Sequence, residues 1–198
     1  MKRIFTLGSI LLLFFVWLPA PAGAADKATD LIKKANARIV EAQKSNAGQP
    51  RLISEIQKVL EGVTAFDAIA ERVTKAVCQD EGKAMEFRNT LAAFLKASYA
   101  NKLSKYKADK TEYLGESKKG KAVLVRTKVS TGARSINLDY EVEQIKSSFM
   151  ITNYIVDNIN TVDSFKKQFK RSLRKDSLEK VVADLKKKTQ RLQSGKAE

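Results

Sequence analysis

The chain has 198 residues, with 37 Lys and Arg against 22 Asp and Glu, a single Cys and no His. This composition excludes a Ser-His-Asp or Cys-His catalytic device, a His-bearing metal site, an internal disulfide and a cysteine zinc cluster. The net charge of +15 predicts an acidic partner, either an anionic membrane surface or an acidic protein face, unless the charge serves solubility alone.

Residues 1–24 have the pattern of a secretory signal peptide. Two cations precede an uncharged run over residues 4–18, and the small residues Ala22 and Ala24 form an A-x-A cleavage site. The run is shorter than the ~20 residues of a spanning helix, and the alternative is an uncleaved anchor. Cleavage lowers the net charge from +15 to +13 and leaves a soluble exported chain, for which nucleic acid is not an expected partner.

Apolar residues at helical spacing predict four helices in the first half of the mature chain. Their ranges are 28–42, 50–60, about 64–77 and 83–106. The last is the strongest, and its apolar stripe is either plain core or part of a wall that contacts a ligand. The members of that stripe are Phe87, Leu91, Phe94, Leu95, Tyr99, Leu103 and Tyr106.

The hydrophobic pattern then changes from a helical period to alternation, which predicts four strands. Their ranges are 111–116, 122–129, 135–144 and 148–156. Short connections between alternating strands favour an antiparallel meander with one solvated face. The apolar residues expected to face inward, and thus available to line a pocket, are Val123, Val125, Val129, Ile136, Leu138, Tyr140, Phe149 and Ile151.

Two further helices are predicted, one from about residue 161 and one from about residue 176. The first carries a basic face that could contact lipid phosphates or an acidic docking surface, or could simply be solvated. That face consists of Lys166, Lys167, Lys170, Arg171 and Arg174. Residues 25–188 are expected to form one domain, and residues 189–198 a frayed basic tail.

The predicted fold class is therefore α+β: N-terminal helices, a curved four-stranded antiparallel sheet, then C-terminal helices. A curved sheet covered by helices encloses an apolar space between the two layers, which can be filled or open. The acidic residues are scattered over polar faces, so we expect no catalytic residues, no metal site and no cofactor.

Three stretches carry a family resemblance: the helix over residues 87–106, the strands at 123–129 and 136–140, and residues 151–169, which read ITNYIVDNINTVDSFKKQF. They resemble the MlaC family of periplasmic phospholipid-binding proteins, also called the toluene-tolerance family. The whole resemblance covers about residues 52–188.

Four departures indicate a divergent member of that family. Phe149 stands where the family has Trp, Thr152-Asn153 replaces a Tyr-Asp pair, and residues 157–160 replace Glu-Gly-Val-Ser. A Leu-Gly-x-x-Trp segment before the main helix is absent, and residues 77–79 stand in its place.

The resemblance implies a carrier rather than an enzyme. Members of the family shuttle phospholipid between an outer-membrane lipoprotein complex and an inner-membrane ABC transporter with an MCE-domain subunit, in support of outer-membrane lipid asymmetry and solvent tolerance. This chain would then be periplasmic, with transient membrane contact. Its acyl-chain lining would comprise Phe87, Leu91, Phe94, Leu95, Tyr99, Val123, Val125, Val129, Ile136, Leu138, Tyr140, Phe149 and Ile151.

Two other hypotheses remain open from the sequence. A basic adaptor would dock on an anionic membrane or protein surface, with a filled core and no lipid cargo. A weaker alternative is an enzyme acting on a small apolar compound in the same space.

Overall fold

The structure is a computed structural model that describes residues 25–45 and 47–195. The predicted signal peptide, residues 1–24, and the last three residues lie outside the described part. Four helices come first: α1 (Ala25–Lys44), α2 (Gln49–Glu61), α3 (Phe66–Val77) and α4 (Glu81–Lys105). The strands follow as β1 (Lys110–Lys119), β2 (Ala122–Thr131), β3 (Arg134–Ile145), β4 (Ser148–Val156) and β5 (Ile159–Asn160), and the last helices are α5 (Thr161–Ser172) and α6 (Leu178–Gln193).

The strands form one antiparallel meander in the order β1-β2-β3-β4-β5. The α+β prediction is confirmed, but the described sheet has five strands where four were expected. Asp157 and Asn158 have positive φ angles of 46° and 66°, as a two-residue hairpin turn requires, and they return the chain to β4. The fifth strand was missed because it has two residues and its turn contains no glycine.

Two bulges bend the sheet. In β1 the extra residue is Leu114, between Tyr113 and Gly115, and in β4 it is Thr152, opposite the step from Glu141 to Val142 of β3. A bulge adds a residue to one strand of a pair, which kinks that strand and increases its twist. The bulge in β1 leaves Leu114 pointing outward and 53% exposed.

Helix α4 lies at the centre of the helical layer, in contact with α2, α3 and α6. Phe87, Leu91 and Leu95 on this helix are fully buried. The ring of Phe87 meets that of Phe169 on α5 edge to face, with the centroids 5.3 Å apart. The N-terminal part of α4 therefore belongs to a solid core between helices.

Helix α6 continues to Gln193, past the domain boundary predicted at residue 188. Thr189 and Leu192 are buried, and the Asn101 side-chain amide donates a hydrogen bond of 2.9 Å to the Leu192 carbonyl. The prediction of a frayed tail is therefore wrong for residues 189–193, because apolar side chains at helical spacing continue to pack on α4.

Within the described residues, no helix combines the length and hydropathy needed to cross a membrane.

Candidate functional site

A cavity of about 340 Å³ lies between the helical layer and the inner face of β3 and β4. This volume falls in the range of roughly 300–1,000 Å³ that is typical of small-molecule sites. Its walls come from α1, the C-terminal part of α4, the start of α5, the sheet, and the end of α2 with the loop after it. The lining residues are Ile32, Ala35, Asn36, Ile39, Leu60, Val63, Ser98, Tyr99, Lys102, Leu103, Ile136, Leu138, Tyr140, Ile151, Tyr154, Val156, Thr161 and Phe165.

Strand register places the sheet wall of the cavity. Tyr140 on β3 lies opposite Tyr154 on β4, and Leu138 lies opposite Val156. Residues directly opposite in an antiparallel pair project from the same face of the sheet. These four side chains therefore form one continuous surface toward the helices.

Three neighbouring tyrosine rings form part of the cavity wall. The ring centroid of Tyr154 is 4.8 Å from that of Tyr99 and 5.7 Å from that of Tyr140. The hydroxyl groups of Tyr154 and Thr64 share a hydrogen bond of 2.7 Å. Burial raises the pKa of Tyr140 and of Tyr154, so both phenols remain neutral in the physiological range.

A short main-chain pairing fixes one side of the cavity. The Ala65 amide donates to the Ile151 carbonyl at 2.9 Å, and the Ile151 amide donates to the Val63 carbonyl at 2.8 Å. The loop after α2 is thereby attached to β4 like an extra strand. This attachment holds Val63, together with Leu60 at the end of α2, against the cavity.

An ion pair joins α3 to the sheet beside this loop. Arg72 Nη2 donates to Glu143 Oε1 at 2.5 Å, and the Thr152 hydroxyl donates to the same oxygen at 2.9 Å. Burial raises the pKa of Glu143, but the hydrogen bonds from Arg72 and Thr152 outweigh burial and lower that pKa overall. The stabilisation is therefore present above the ordinary carboxyl pKa and is lost as the pH falls through the lowered one.

We expect Arg72→Ala to lower the free energy of unfolding by about 1 kcal/mol at neutral pH, a modest cost because the pair is partly solvated. Urea denaturation of both proteins at neutral and acid pH measures this loss, and the difference should shrink in acid as Glu143 becomes protonated in both. The control is Arg51→Ala, which removes an exposed ion pair with Glu55 within α2. A loss that is the same at both pH values would contradict the role assigned to Glu143.

The structure brings part of the predicted lining together. Tyr99, Ile136, Leu138, Tyr140 and Ile151 line the cavity. The other predicted residues lie outside the cavity lining. Those on α4 pack between helices, and those on the strands are buried elsewhere in the core or lie half-buried at the edges of the core. These residues are Phe87, Leu91, Phe94, Leu95, Val123, Val125, Val129 and Phe149.

Several lining residues were not selected from the sequence. The apolar stripe of α1 contributes Ile32, Ala35 and Ile39, and α5 contributes Phe165. The stripe of α1 was visible as a helical pattern, but periodicity shows that a face is buried and not which layer covers it. Tyr154 was missed because strict alternation from Phe149 and Ile151 places it on the opposite face of β4. The extra residue Thr152 reverses that alternation and brings Tyr154 to the cavity face.

The basic face predicted on α5 lies outside the cavity lining. Lys166 pairs with Asp163 at 3.1 Å, while Lys167, Lys170, Arg171 and Arg174 are exposed. Among the described residues that line the cavity, the one charged side chain is instead Lys102 of α4. Lys102 is exposed at the cavity rim.

Fold and site together define an α+β protein that encloses a mostly apolar cavity of ligand size between a bent antiparallel sheet and its helices. The family model described as MlaC protein matches residues 29–187, and the chain belongs to the MlaC family. The resemblance inferred from the sequence is thus confirmed.

A solved structure of a phospholipid-binding protein from Ralstonia solanacearum, in complex with a phospholipid, has the same fold. Its TM-score is 0.69 at 15% sequence identity, and the match covers 84% of this chain and 98% of that chain. A comparison with curated proteins finds no match.

Proposed function

We propose that this protein is a periplasmic carrier that holds phospholipid acyl chains in the cavity between sheet and helices. The observation that carries the proposal is the cavity itself, whose walls are apolar apart from neutral polar groups and one lysine at the rim. Membership of the MlaC family and the phospholipid in the Ralstonia protein support the choice of ligand.

Elementary energetics explain why such a carrier needs a cavity and no reactive group. Each methylene that leaves water gains ~0.8 kcal/mol, so free transfer of a long acyl chain through water is strongly opposed. An apolar cavity replaces the bilayer interior as the surroundings of the chain. Movement between bilayer and protein then costs little.

The cavity also favours the carrier over the adaptor hypothesis. An adaptor that docks through basic residues requires no internal space and would fill its core with its own side chains. Here Tyr99, Tyr140 and Tyr154 line open volume instead.

The partners are proposed from the family. Members of the MlaC family are periplasmic. We propose that the chain receives or delivers phospholipid at an inner-membrane MCE-domain ABC transporter and at an outer-membrane lipoprotein complex, and thereby supports outer-membrane lipid asymmetry and solvent tolerance. Candidates for those contacts are the exposed cations of α5 and of the turn after it, Lys167, Lys170, Arg171 and Arg174.

Purification without detergent, followed by native mass spectrometry and lipid extraction, tests the proposal. We expect a bound phospholipid, and we expect delipidated protein to take up labelled phospholipid from vesicles. A protein that carries no lipid after purification and takes none from vesicles would contradict it.

A prediction at the rim concerns the headgroup. We expect Lys102→Glu to weaken retention of anionic phospholipids about threefold, the size of effect typical of a solvated ion pair, and to weaken zwitterionic ones less. Competition between the two lipid classes, read by mass spectrometry, measures the change. The control is Lys105→Glu, an equal charge reversal on an exposed residue of the same helix that does not line the cavity. Equal effects of both variants would contradict a specific role for Lys102.

A further inference from the structure

A row of apolar side chains leads from the cavity to the outer surface across three strands. Leu138 of β3 lies opposite Val156 of β4, and Val156 lies opposite Ile159 of β5. Ile136 precedes Leu138 by two positions and therefore shares its face of the sheet. We call these four residues the apolar strip.

Exposure increases along the apolar strip from the cavity outward. Leu138 and Val156 are half-buried in the cavity wall, Ile136 is 38% exposed, and Ile159 is 62% exposed. Isolated exposed apolar residues are common and need no explanation. Ile136 and Ile159 differ from such isolated residues because they continue the apolar wall of the cavity without interruption.

Local structure does not account for the exposed Ile159. It occupies the position before Asn160, whose side chain caps α5 by accepting a hydrogen bond from the Asp163 amide at 3.0 Å. An apolar residue at that position often packs on the fourth helical residue. Here the fourth residue is Ser164, which is exposed and offers no apolar contact.

The charges around the apolar strip favour an anionic surface as the occupant. Lys102 stands at the cavity rim. Helix α5 begins directly after β5 and carries the exposed cations Lys167, Lys170 and Arg171, and Arg174 follows its end. Of the two acidic residues that flank Ile159 in the chain, Asp157 and Asp163, the second is paired with Lys166. Basic residues beside an apolar surface are attracted to anionic lipid headgroups while the apolar groups enter the acyl boundary.

We propose that the apolar strip contacts an anionic lipid bilayer during loading and that the acyl chain enters the cavity along it. This inference rests on the proposed function. An acyl chain that leaves a bilayer is exposed to water wherever no apolar wall accompanies it, and each exposed methylene opposes transfer. A wall that continues from cavity to membrane shortens that exposed path, so the apolar strip acts on the rate of uptake.

The test measures uptake of a labelled phospholipid from vesicles of phosphatidylglycerol and phosphatidylethanolamine, with no other protein present. Ile159→Thr keeps a β-branched residue in the strand but removes apolar contact, and we expect uptake about tenfold slower. The amount bound at equilibrium should stay at the wild-type level, because Ile159 does not line the cavity. Ile159→Leu should restore the rate.

The matched control is Leu114→Thr, a similar change at a residue that is 53% exposed on β1, outside the cavity lining. It should take up lipid at the wild-type rate. A wild-type rate for Ile159→Thr would overturn the inference, and would be the result if the apolar strip served a protein partner instead. Equal slowing by Leu114→Thr, or loss of equilibrium binding by Ile159→Thr, would overturn it as well. A wild-type protein that takes up no lipid is a different result, because it contradicts the proposed function itself.

Discussion

Leu138→Asp is expected to abolish lipid retention while the protein remains folded. The Leu138 side chain lies in the sheet wall of the cavity and is half-buried, so a carboxylate there stays hydrated in the lipid-free protein. An acyl chain in the same cavity would remove that water and leave a charge in apolar surroundings, at a cost of several kcal/mol, roughly a hundredfold or more in affinity. Lipid extraction after purification and vesicle uptake measure the loss.

Leu114→Asp is the matched control for this substitution. It makes the same change in a strand residue that is 53% exposed at the bulge of β1 and does not line the cavity. Circular dichroism and thermal unfolding establish that both variants fold. Retention of phospholipid by folded Leu138→Asp at the wild-type level would show that the cavity is not the lipid site.

The second large effect is on stability. Phe87→Ala is expected to lower the free energy of unfolding by about 3–5 kcal/mol, because it empties a fully packed site between helices. Phe87 is completely buried and meets Phe169 edge to face. Urea denaturation measures the loss, and Met85→Ala on the same helix, at a residue 62% exposed, should change stability little.

Lipid retention by folded Phe87→Ala should match the wild type, because Phe87 lies outside the cavity lining. This outcome would distinguish residues of α4 that pack in the helical core from residues of α4 that line the cavity, a distinction that the sequence alone could not make. A variant that loses lipid and keeps full stability would place Phe87 in the binding site after all.

The helices and strands followed from periodicity because each has a face that is buried over several turns or alternate residues. The same reasoning could not divide α4 between core and cavity. Its 25 residues extend over ~37 Å, and the cavity reaches only the end that contains Tyr99 and Lys102. Phe87 and Tyr99 share an apolar stripe, but one meets a helix and the other faces open space.

The departures from the family pattern at Thr152 and Asn153 have structural partners. The Thr152 hydroxyl donates to Glu143, while Asn153 Oδ1 accepts hydrogen bonds from the Thr161 hydroxyl at 3.2 Å and the Val162 amide at 3.3 Å. Both side chains are buried, and neither lines the cavity. Asn153 holds the start of α5, and with it Phe165, in place, whereas Thr152 holds the Glu143 carboxylate on the neighbouring strand. Spacing along one chain does not reveal such partners, because they come from other elements of the fold.

The most direct test of the central claim is a crystal structure of the mature protein determined after incubation with phospholipid vesicles. We expect continuous hydrocarbon density between sheet and helices, bordered by Leu138, Tyr140 and Tyr154, with the headgroup at the rim near Lys102. A well-ordered structure in which this volume stays empty, or is occupied by the protein's own side chains, would contradict the claim.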